Sequence, residues 1–297
     1  MANTERNAAR LQAVAAAVLF STGGAGIKVE AFSAAQVSCV RSGIAAIALL
    51  LWLRSRVRWT PGTLAAGLVY AATLSLFVGA TKLTTAANAI FLQSTAPLYL
   101  LLLAPLVLRE RVYLRDVLYL AAIAAGLVFC FVGTPIATAT ASNPALGTWL
   151  GAASGLAWAL TLVALRIIGR GDANTADAVA PVVAGNVLAV LVALPFALPF
   201  PRAHAGEWLT LIYLGVFQIG LAYICLAGAI RHLPALEISL LLLLEPVLNP
   251  VWTWIIRGEE PGRWTMIGGA VIVGATIIKL LVDARRPEPG VAGAPAA

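Results

Sequence analysis

The chain has 297 residues, of which 61% are hydrophobic and only 11% are charged, with a formal net charge of +7. A soluble domain is typically about 45–50% apolar and about 25% charged, so the composition excludes a soluble enzyme, a disordered chain and a disulfide-knit secreted module. Its mean hydropathy of +0.91 predicts an integral membrane protein surrounded by the lipid bilayer rather than a partner of nucleic acid. The three cysteines, Cys39, Cys130 and Cys225, lie inside apolar runs without the spacing of metal ligands, and we expect neither a metal nor a cofactor.

Ten apolar runs of about 20 residues, the length that crosses a bilayer as a helix, follow one another along the chain. Charged or turn-rich breaks such as Arg109-Glu110-Arg111 separate them. The runs cover residues 11–28, 34–53, 64–81, 85–108, 113–133, 146–166, 175–198, 208–230, 235–256 and 263–282. The sequence therefore predicts an all-α membrane protein with ten transmembrane helices.

The distribution of basic residues predicts the orientation of these helices. With the N-terminus in the cytoplasm, the segments on that side hold fourteen Lys and Arg residues, against five on the outer side. Short cytoplasmic loops are enriched in Lys and Arg, so both termini are expected in the cytoplasm. The first run has no signal-peptide cleavage site after it and is predicted to remain as a span.

The two halves of the chain resemble each other when they are shifted by 149 residues, the separation of Pro97 and Pro246. At this offset Gly79-Ala80 meets Gly228-Ala229 and Glu110 meets Glu259. Because each copy holds five spans, an odd number, the second copy must enter the membrane upside down, an architecture that recurs in secondary transporters. The predicted organisation is a first repeat at 1–133, a periplasmic linker at 134–145, a second repeat at 146–282 and a cytoplasmic tail at 283–297.

Three stretches carry a resemblance to a known family: Ser94-Thr95-Ala96-Pro97-Leu98 leading to Arg109-Glu110, Leu244-Glu245-Pro246-Val247 leading to Gly258-Glu259-Glu260, and Cys39-Val40-Arg41-Ser42. Together with the five-plus-five pattern they resemble the EamA-type branch of the drug/metabolite transporter superfamily. The stretch Ser154-Gly155-Leu156-Ala157-Trp158-Ala159 is similar to its YddG-type amino acid exporters. That resemblance implies that Trp158 lines a central cavity and that the protein exports amino acids or other metabolites.

Polar and aromatic residues inside the runs are candidates for this cavity. Glu245 lies about halfway along the ninth run, where a carboxylate is costly unless it faces a cavity or a partner. It is open whether Glu245 binds a substrate ammonium, couples protons or packs the bundle. The predicted substrate-binding residues are Trp158, Phe77, Ser21, Thr73, Gln93, Tyr99, Tyr223, Glu245 and Asn249.

Three further features carry structural expectations. Pro97 and Pro246 remove backbone donors at matching positions and are predicted to be hinges. For Arg41, pairing with a carboxylate inside the bundle is favoured over binding a substrate carboxylate. The stripe Gly147, Gly151 and Gly155 predicts close helix contact, within the bundle or across a dimer, and Ala/Gly faces are expected to make the fifth and tenth spans a scaffold.

The interpretation that follows is a secondary transporter of the cell inner membrane that exports small metabolites, amino acids first among them, by alternating access. The alternatives are an exporter of other metabolites or drug-like compounds in the same family and, more remotely, a membrane-embedded enzyme. Against an enzyme, the two histidines, His204 and His232, have no spaced partner. We expect a small-molecule substrate, and a monomer or weak homodimer.

Overall fold

The computed structural model describes residues 2–23, 32–54, 59–84, 86–131, 143–170, 174–257 and 263–284. These residues are almost entirely helical, and no β-strand occurs among them. In the first half the helices are α1 (Ala2–Ser21), α2 (Ala34–Leu53), α3 (Pro61–Leu83), α4 (Ala86–Gln93), α5 (Ala96–Leu103) and α6 (Leu114–Phe131). In the second half they are α7 (Pro144–Ile168), α8 (Thr175–Ala197), α9 (Ala205–Tyr213), α10 (Ala222–His232), α11 (Ala235–Leu242), α12 (Leu244–Arg257) and α13 (Arg263–Ala284).

Local sequence signals fix where several helices begin. The Ser33 hydroxyl accepts from the Gln36 backbone N–H, and the Gln36 side chain accepts from the Ser33 N–H, which forms a capping box before α2. Asn174 and Asp177 form the same box before α8. Thr60 caps α3, whose first residue is Pro61. Such caps satisfy amides that have no partner inside the helix.

Six helical segments within the described ranges are long and apolar enough to cross a membrane: Ala35–Leu53, Pro61–Thr81, Ala89–Leu108, Pro144–Ile168, Thr175–Ala197 and Ala205–His232. The remaining predicted spans fall on α1, α6, α11 with α12, and α13, which are helical as well. Large apolar side chains point outward all round the bundle, as a lipid-facing surface requires; examples are Leu51, Leu68, Leu102, Trp149, Leu191, Phe196 and Ile278.

The structure differs from the sequence prediction in where some of the runs begin and break. The first helix begins at Ala2, so Arg6 and Arg10, expected before the span, lie within α1. The fourth run, expected as one helix, is broken after Gln93, and the ninth is broken at Leu243. In both cases the break comes two or three residues before a proline, Pro97 or Pro246, because proline has no N–H to continue the helical ladder.

Two stretches are wound as π-helix instead of α-helix. Ala104–Leu108 extends α5 up to Arg109, and Leu214–Leu221 joins α9 to α10. π-helical turns are rare and are found mostly at functional sites, because the wider turn redirects side chains. The second π-helical segment carries Gln218 into the interior of the bundle.

The helices of the two halves interleave. α3 packs against α7 and α8, α2 against α8, and α1 against α10 and α12, while α6 pairs with α13. Glycines allow the closest approaches: a Cβ at Gly67 would lie 2.6 Å from the Ala184 Cβ, and a Cβ at Gly185 would overlap the ring of Tyr70. Gly147, Gly151 and Gly155 face Thr84, Leu92 and Thr95, so this stripe makes a contact within the bundle.

The contact between α6 and α13 lies beside the small-residue faces expected from the sequence. Ala121, Ala125 and Ala270 are exposed, and nothing lies within 4 Å of a Cβ built on Gly274. Instead, a Cβ at Gly126 would lie 2.6 Å from Ile272, the Tyr119 and Thr276 hydroxyls are 2.8 Å apart, and the Lys279 ammonium is 3.2 Å from Asp116. The pair is held by polar contacts as well as by packing.

We predict that Gly185→Ala lowers the thermal stability of the purified protein. The new methyl group would displace Tyr70 and the Gly67 carbonyl, and overpacking of this kind typically costs about 1–3 kcal/mol. The matched control is Gly274→Ala, also within a helix, where no atom lies within 4 Å of the added carbon. Thermal unfolding in detergent measures both; equal midpoints for the two variants would contradict the prediction.

Candidate functional site

A cavity of about 120 Å³ lies between the two halves of the bundle. Seven elements form its wall: α1, α2, α3, α4, α7, α12, and the second π-helical segment with the start of α10. Its lining residues are Phe20, Gly23, Arg41, Tyr70, Thr73, Leu74, Phe77, Thr81, Ile90, Gln93, Trp158, Gln218, Ile219, Tyr223, Glu245 and Asn249.

Four aromatic rings form one wall of this cavity, and we call them the aromatic cluster: Phe20, Tyr70, Trp158 and Tyr223. Tyr223 lies at the centre, with its ring centroid 5.1 Å from Phe20, 5.0 Å from Tyr70 and 6.3 Å from Trp158, all edge to face. Edge-to-face contacts at these distances fix the orientation of each ring. The cluster therefore gives the cavity a rigid apolar surface that combines helices of both halves.

Hydroxyl and amide groups line the side of the cavity formed by α3, α4 and α7. The Thr73 and Thr161 hydroxyls are 3.0 Å apart, and the Gln93 amide donates to the Ser154 hydroxyl at 2.8 Å. Ser154, Trp158 and Thr161 share one face of α7, as their spacing predicts. These bonds hold Thr73 and Gln93 beside Trp158.

Glu245 and Asn249 reach the cavity from α12. They are one helical turn apart, and Trp252, on the same face, donates its indole N–H to the Ser21 hydroxyl at 2.8 Å. No hydrogen bond or ion pair joins Glu245 to any other residue in the described ranges. A carboxylate inside a helix bundle without a partner is unusual. Of the roles considered for Glu245, packing against a neighbouring helix is the one that this position does not support, because the side chain faces the cavity.

Arg41 also lines the cavity, although sequence reasoning favoured a structural ion pair for it. Arg41 is only 4% exposed, and its Nε atom has no hydrogen-bond partner among the residues that the structure describes. Among the residues that the structure describes, no carboxylate pairs with it. The sequence shows a lone arginine inside an apolar run, but it does not reveal which helices surround that arginine.

The structure brings seven of the nine predicted residues into the lining and leaves two outside it. Ser21 is fully buried where α1 meets α12, and its hydroxyl accepts from Trp252. Tyr99 follows the break in the fourth run and directs its hydroxyl to the Ala152 carbonyl at 3.4 Å. Phe20, Tyr70 and Gln218 line the cavity without having been in the predicted set.

A side pocket of about 20 Å³ adjoins the cavity at the two helix breaks. Pro97 and Pro246 both line it, together with Gln93, Trp158 and Glu245, which also line the main cavity. The breaks before the two prolines therefore meet beside the cavity. A change of angle at either break would move residues that line it.

The end of the bundle that holds Arg6, Glu110, Arg166 and Glu237, here called the charged end, is closed by ion pairs. Glu110 contacts the Arg166 guanidinium at 2.7 Å and that of Arg170 at 2.8 Å, and its second oxygen accepts from the Ala235 backbone N–H at 3.0 Å. One carboxylate from the first half thus joins α7 and the beginning of α11.

A second cluster at the charged end joins α1 to α11. Glu237 contacts Arg10 at 2.9 Å and Arg6 at 3.5 Å. Phe20 is ten residues from Arg10 along α1, and Glu245 is eight residues from Glu237, which at about 1.5 Å per residue places the cavity about 12–15 Å from these pairs. Buried side chains including Leu162, Leu226 and Leu240 fill the space between.

Comparison with known proteins places the chain in a family of transporters. The model of the EamA-like transporter family matches residues 8–132 and again residues 145–281. The uncharacterized transporter YxxF of Bacillus subtilis is 24% identical over 205 residues, which cover 67% of this chain and 62% of the relative, so less than two thirds of that protein is matched. An uncharacterized transporter of Archaeoglobus fulgidus is 27% identical over 208 residues, covering 69% of this chain and 71% of the relative.

A solved crystal structure, described only as that of a protein, superimposes with a TM-score of 0.79 at 20% identity, covering 93% of this chain and 98% of the other. At that identity the likeness concerns the fold alone. The family model matches most of the chain, and the relatives carry the name of transporters. The chain therefore belongs to the EamA-like transporter family and is a multi-pass membrane protein.

Proposed function

We propose that this protein exports small metabolites, amino acids first among them, across the cell inner membrane by alternating access around the cavity. The observation that carries the proposal is that residues of both halves line one cavity, at whose edge the two proline breaks meet. Export and the inner membrane follow from the resemblance to the YddG-type exporters and from the basic charge of the predicted cytoplasmic segments.

The proposed architecture is ten spans in two inverted repeats, and the helix packing supports it. Exchanging the halves turns the contact of α3 with α7 into that of α10 with α1, and the contact of α4 with α7 into that of α11 with α1; both members of each exchange occur. Gly79 faces Leu150 of α7 and its offset partner Gly228 faces Gln12 of α1. The double match of the family model also supports a duplication.

Alternating access requires one end of the cavity to close while the other opens. The ion pairs and the packed leucines close the charged end, which the distribution of basic residues assigns to the cytoplasm. The cavity lies towards the opposite end. This arrangement supports an outward-facing state, with the breaks at Pro97 and Pro246 as the hinges for the change to the inward-facing one.

The size and lining of the cavity favour an amino acid over a drug-like compound. Pockets for drug-sized ligands measure about 300–1,000 Å³, whereas this one measures about 120 Å³. Its lining combines the aromatic cluster with hydroxyl, amide and charged groups, so it suits a small molecule with one apolar and one polar part.

We predict saturable counterflow of labelled amino acids in proteoliposomes and a loss of at least about tenfold in Trp158→Ala. Trp158 is partly buried and its ring lines the cavity, so its truncation removes apolar surface from the site. The matched control is Trp149→Ala, on the same helix but with Trp149 74% exposed towards lipid; it should transport normally. A panel that shows flux only for other metabolites would overturn the amino acid assignment. Equal flux through both variants would overturn the site.

We also predict that Glu110→Gln loosens the charged end. The substitution leaves Arg166 and Arg170 without their carboxylate, and the Arg166 pair is partly buried, so its loss should destabilise this end. A reporter thiol at the fully buried position 233 (Leu233→Cys), with the three native cysteines replaced, should react with a soluble maleimide at least about tenfold faster in Glu110→Gln.

The control for this measurement is Glu5→Gln, because Glu5 is exposed on α1 near the same end. It should leave the labelling rate unchanged. If both substitutions gave the rate of the unsubstituted reporter protein, closure at this end would not depend on the Glu110 pairs.

A further inference from the structure

We propose that Arg41 and Glu245 together bind the head group of a zwitterionic amino acid, the guanidinium contacting the carboxylate and the carboxylate of Glu245 contacting the ammonium. The proposal deepens the function proposed above and rests on it. It assigns to two charged residues a role that neither the family match nor the relatives provide.

Arg41 is a buried cation with no counter-ion among the described residues. Removing a charge from water costs far more than removing a neutral polar group, and a buried charge is normally paired. In the described part of the chain Arg41 has no acidic partner, and its Nε–H is left without an acceptor. The group that satisfies it is therefore expected from the cavity, and a planar carboxylate matches the two-pronged geometry of a guanidinium.

A close contact between two helical segments holds the backbone of Arg41 in place. The second π-helical segment runs very close to α2 because residue 215 is glycine: a Cβ there would lie 2.6 Å from Ile44 and 3.0 Å from the Arg41 carbonyl oxygen. This contact fixes the backbone of Arg41 against the opposite half of the protein. A fixed backbone lowers the entropy that a bound carboxylate must overcome.

Glu245 brings the opposite charge to the cavity from a different helix. It lies in the first turn of α12, directly after the break at Leu243, and lines the same cavity as Arg41 without a hydrogen-bonded or ionic partner in the described ranges. Tyr223 lines the same cavity as these two groups. The cavity thus holds one positive and one negative group near the central ring of the aromatic cluster.

Ligands of different charge satisfy Arg41 and Glu245 to different extents. A simple amine would leave Arg41 unpaired, and a simple carboxylic acid would leave Glu245 unpaired, each at the cost of a buried charge. A zwitterion satisfies both and leaves the site neutral. Its side chain would then lie against the aromatic cluster, with Thr73 and Gln93 at its edge.

The test measures binding to the purified full-length protein in detergent by calorimetry at neutral pH. The probes are leucine, phenylalanine and threonine, each with its amide, which lacks the carboxylate, and its des-amino carboxylic acid, which lacks the ammonium. We expect the free amino acids to bind at least about tenfold more tightly than either analogue, because each analogue leaves one buried charge unpaired.

Two substitutions should then each remove the preference for the amino acid over a different one of its two analogues. Arg41→Gln should weaken the amino acid at least about tenfold and remove its advantage over the amide, while its advantage over the des-amino acid persists. Glu245→Gln should remove the advantage over the des-amino acid only. Arg41→Lys, which keeps the charge, should restore part of the affinity, and Arg54→Gln, an exposed position at the end of the same helix, should change nothing.

The outcomes separate this inference from the function on which it rests. If the unsubstituted protein carries amino acids but Arg41→Gln weakens all three probes of a set equally, the head-group inference is wrong and the transport function stands. If the unsubstituted protein neither binds nor carries any amino acid, both fail. Glu245→Gln tests the same inference independently should Arg41→Gln not fold.

Discussion

The placement of charge in a medium that cannot solvate it governs this structure. Hydrocarbon offers no partner to an ionised side chain, so each one must find a counter-ion or face a space that water or substrate can enter. The described acidic residues within the bundle divide accordingly. Glu110, Glu237 and Asp116 are paired with Arg or Lys, whereas Glu245 faces the cavity together with Arg41. The paired charges hold helices together, whereas Glu245 and Arg41, which have no ionic partner among the described residues, line the cavity.

The proline breaks and the glycine contacts serve the same arrangement. The interruption at Leu243 starts a new helix, and Glu245 in its first turn lines the cavity. Gly185 lets α8 approach Tyr70 closely enough to hold that ring against Tyr223. Small residues thus allow tight contact, and helix ends direct polar groups inward, where they meet the aromatic cluster.

The sequence was sufficient to predict the helices, because long apolar runs between charged breaks depend on composition alone. It also identified seven cavity residues, through polar and aromatic groups placed deep in those runs. The sequence was insufficient for contacts between distant helices. The Tyr99 hydroxyl donates to the Ala152 carbonyl on α7, and the ring of Phe20 in the first half contacts that of Tyr223 in the second half. No described carboxylate pairs with Arg41, and its pairing depends on neighbours that periodicity along one helix does not reveal.

The ion pairs of the charged end have no counterpart in the duplicated sequence. At the 149-residue offset, Arg166 and Arg170 correspond to Ala17 and Ser21, while Arg6, Arg10 and Glu237 correspond to Gly155, Ala159 and Asn88. Glu110 is repeated as Glu259, but the arginines that pair with Glu110 are not repeated in the first half. In the proposed transport cycle the two states are therefore unequal in energy, and each 1.4 kcal/mol of difference changes their ratio tenfold. In that cycle, pairs present at one end only would favour the state in which the charged end is closed, and opening that end would require the energy of substrate binding.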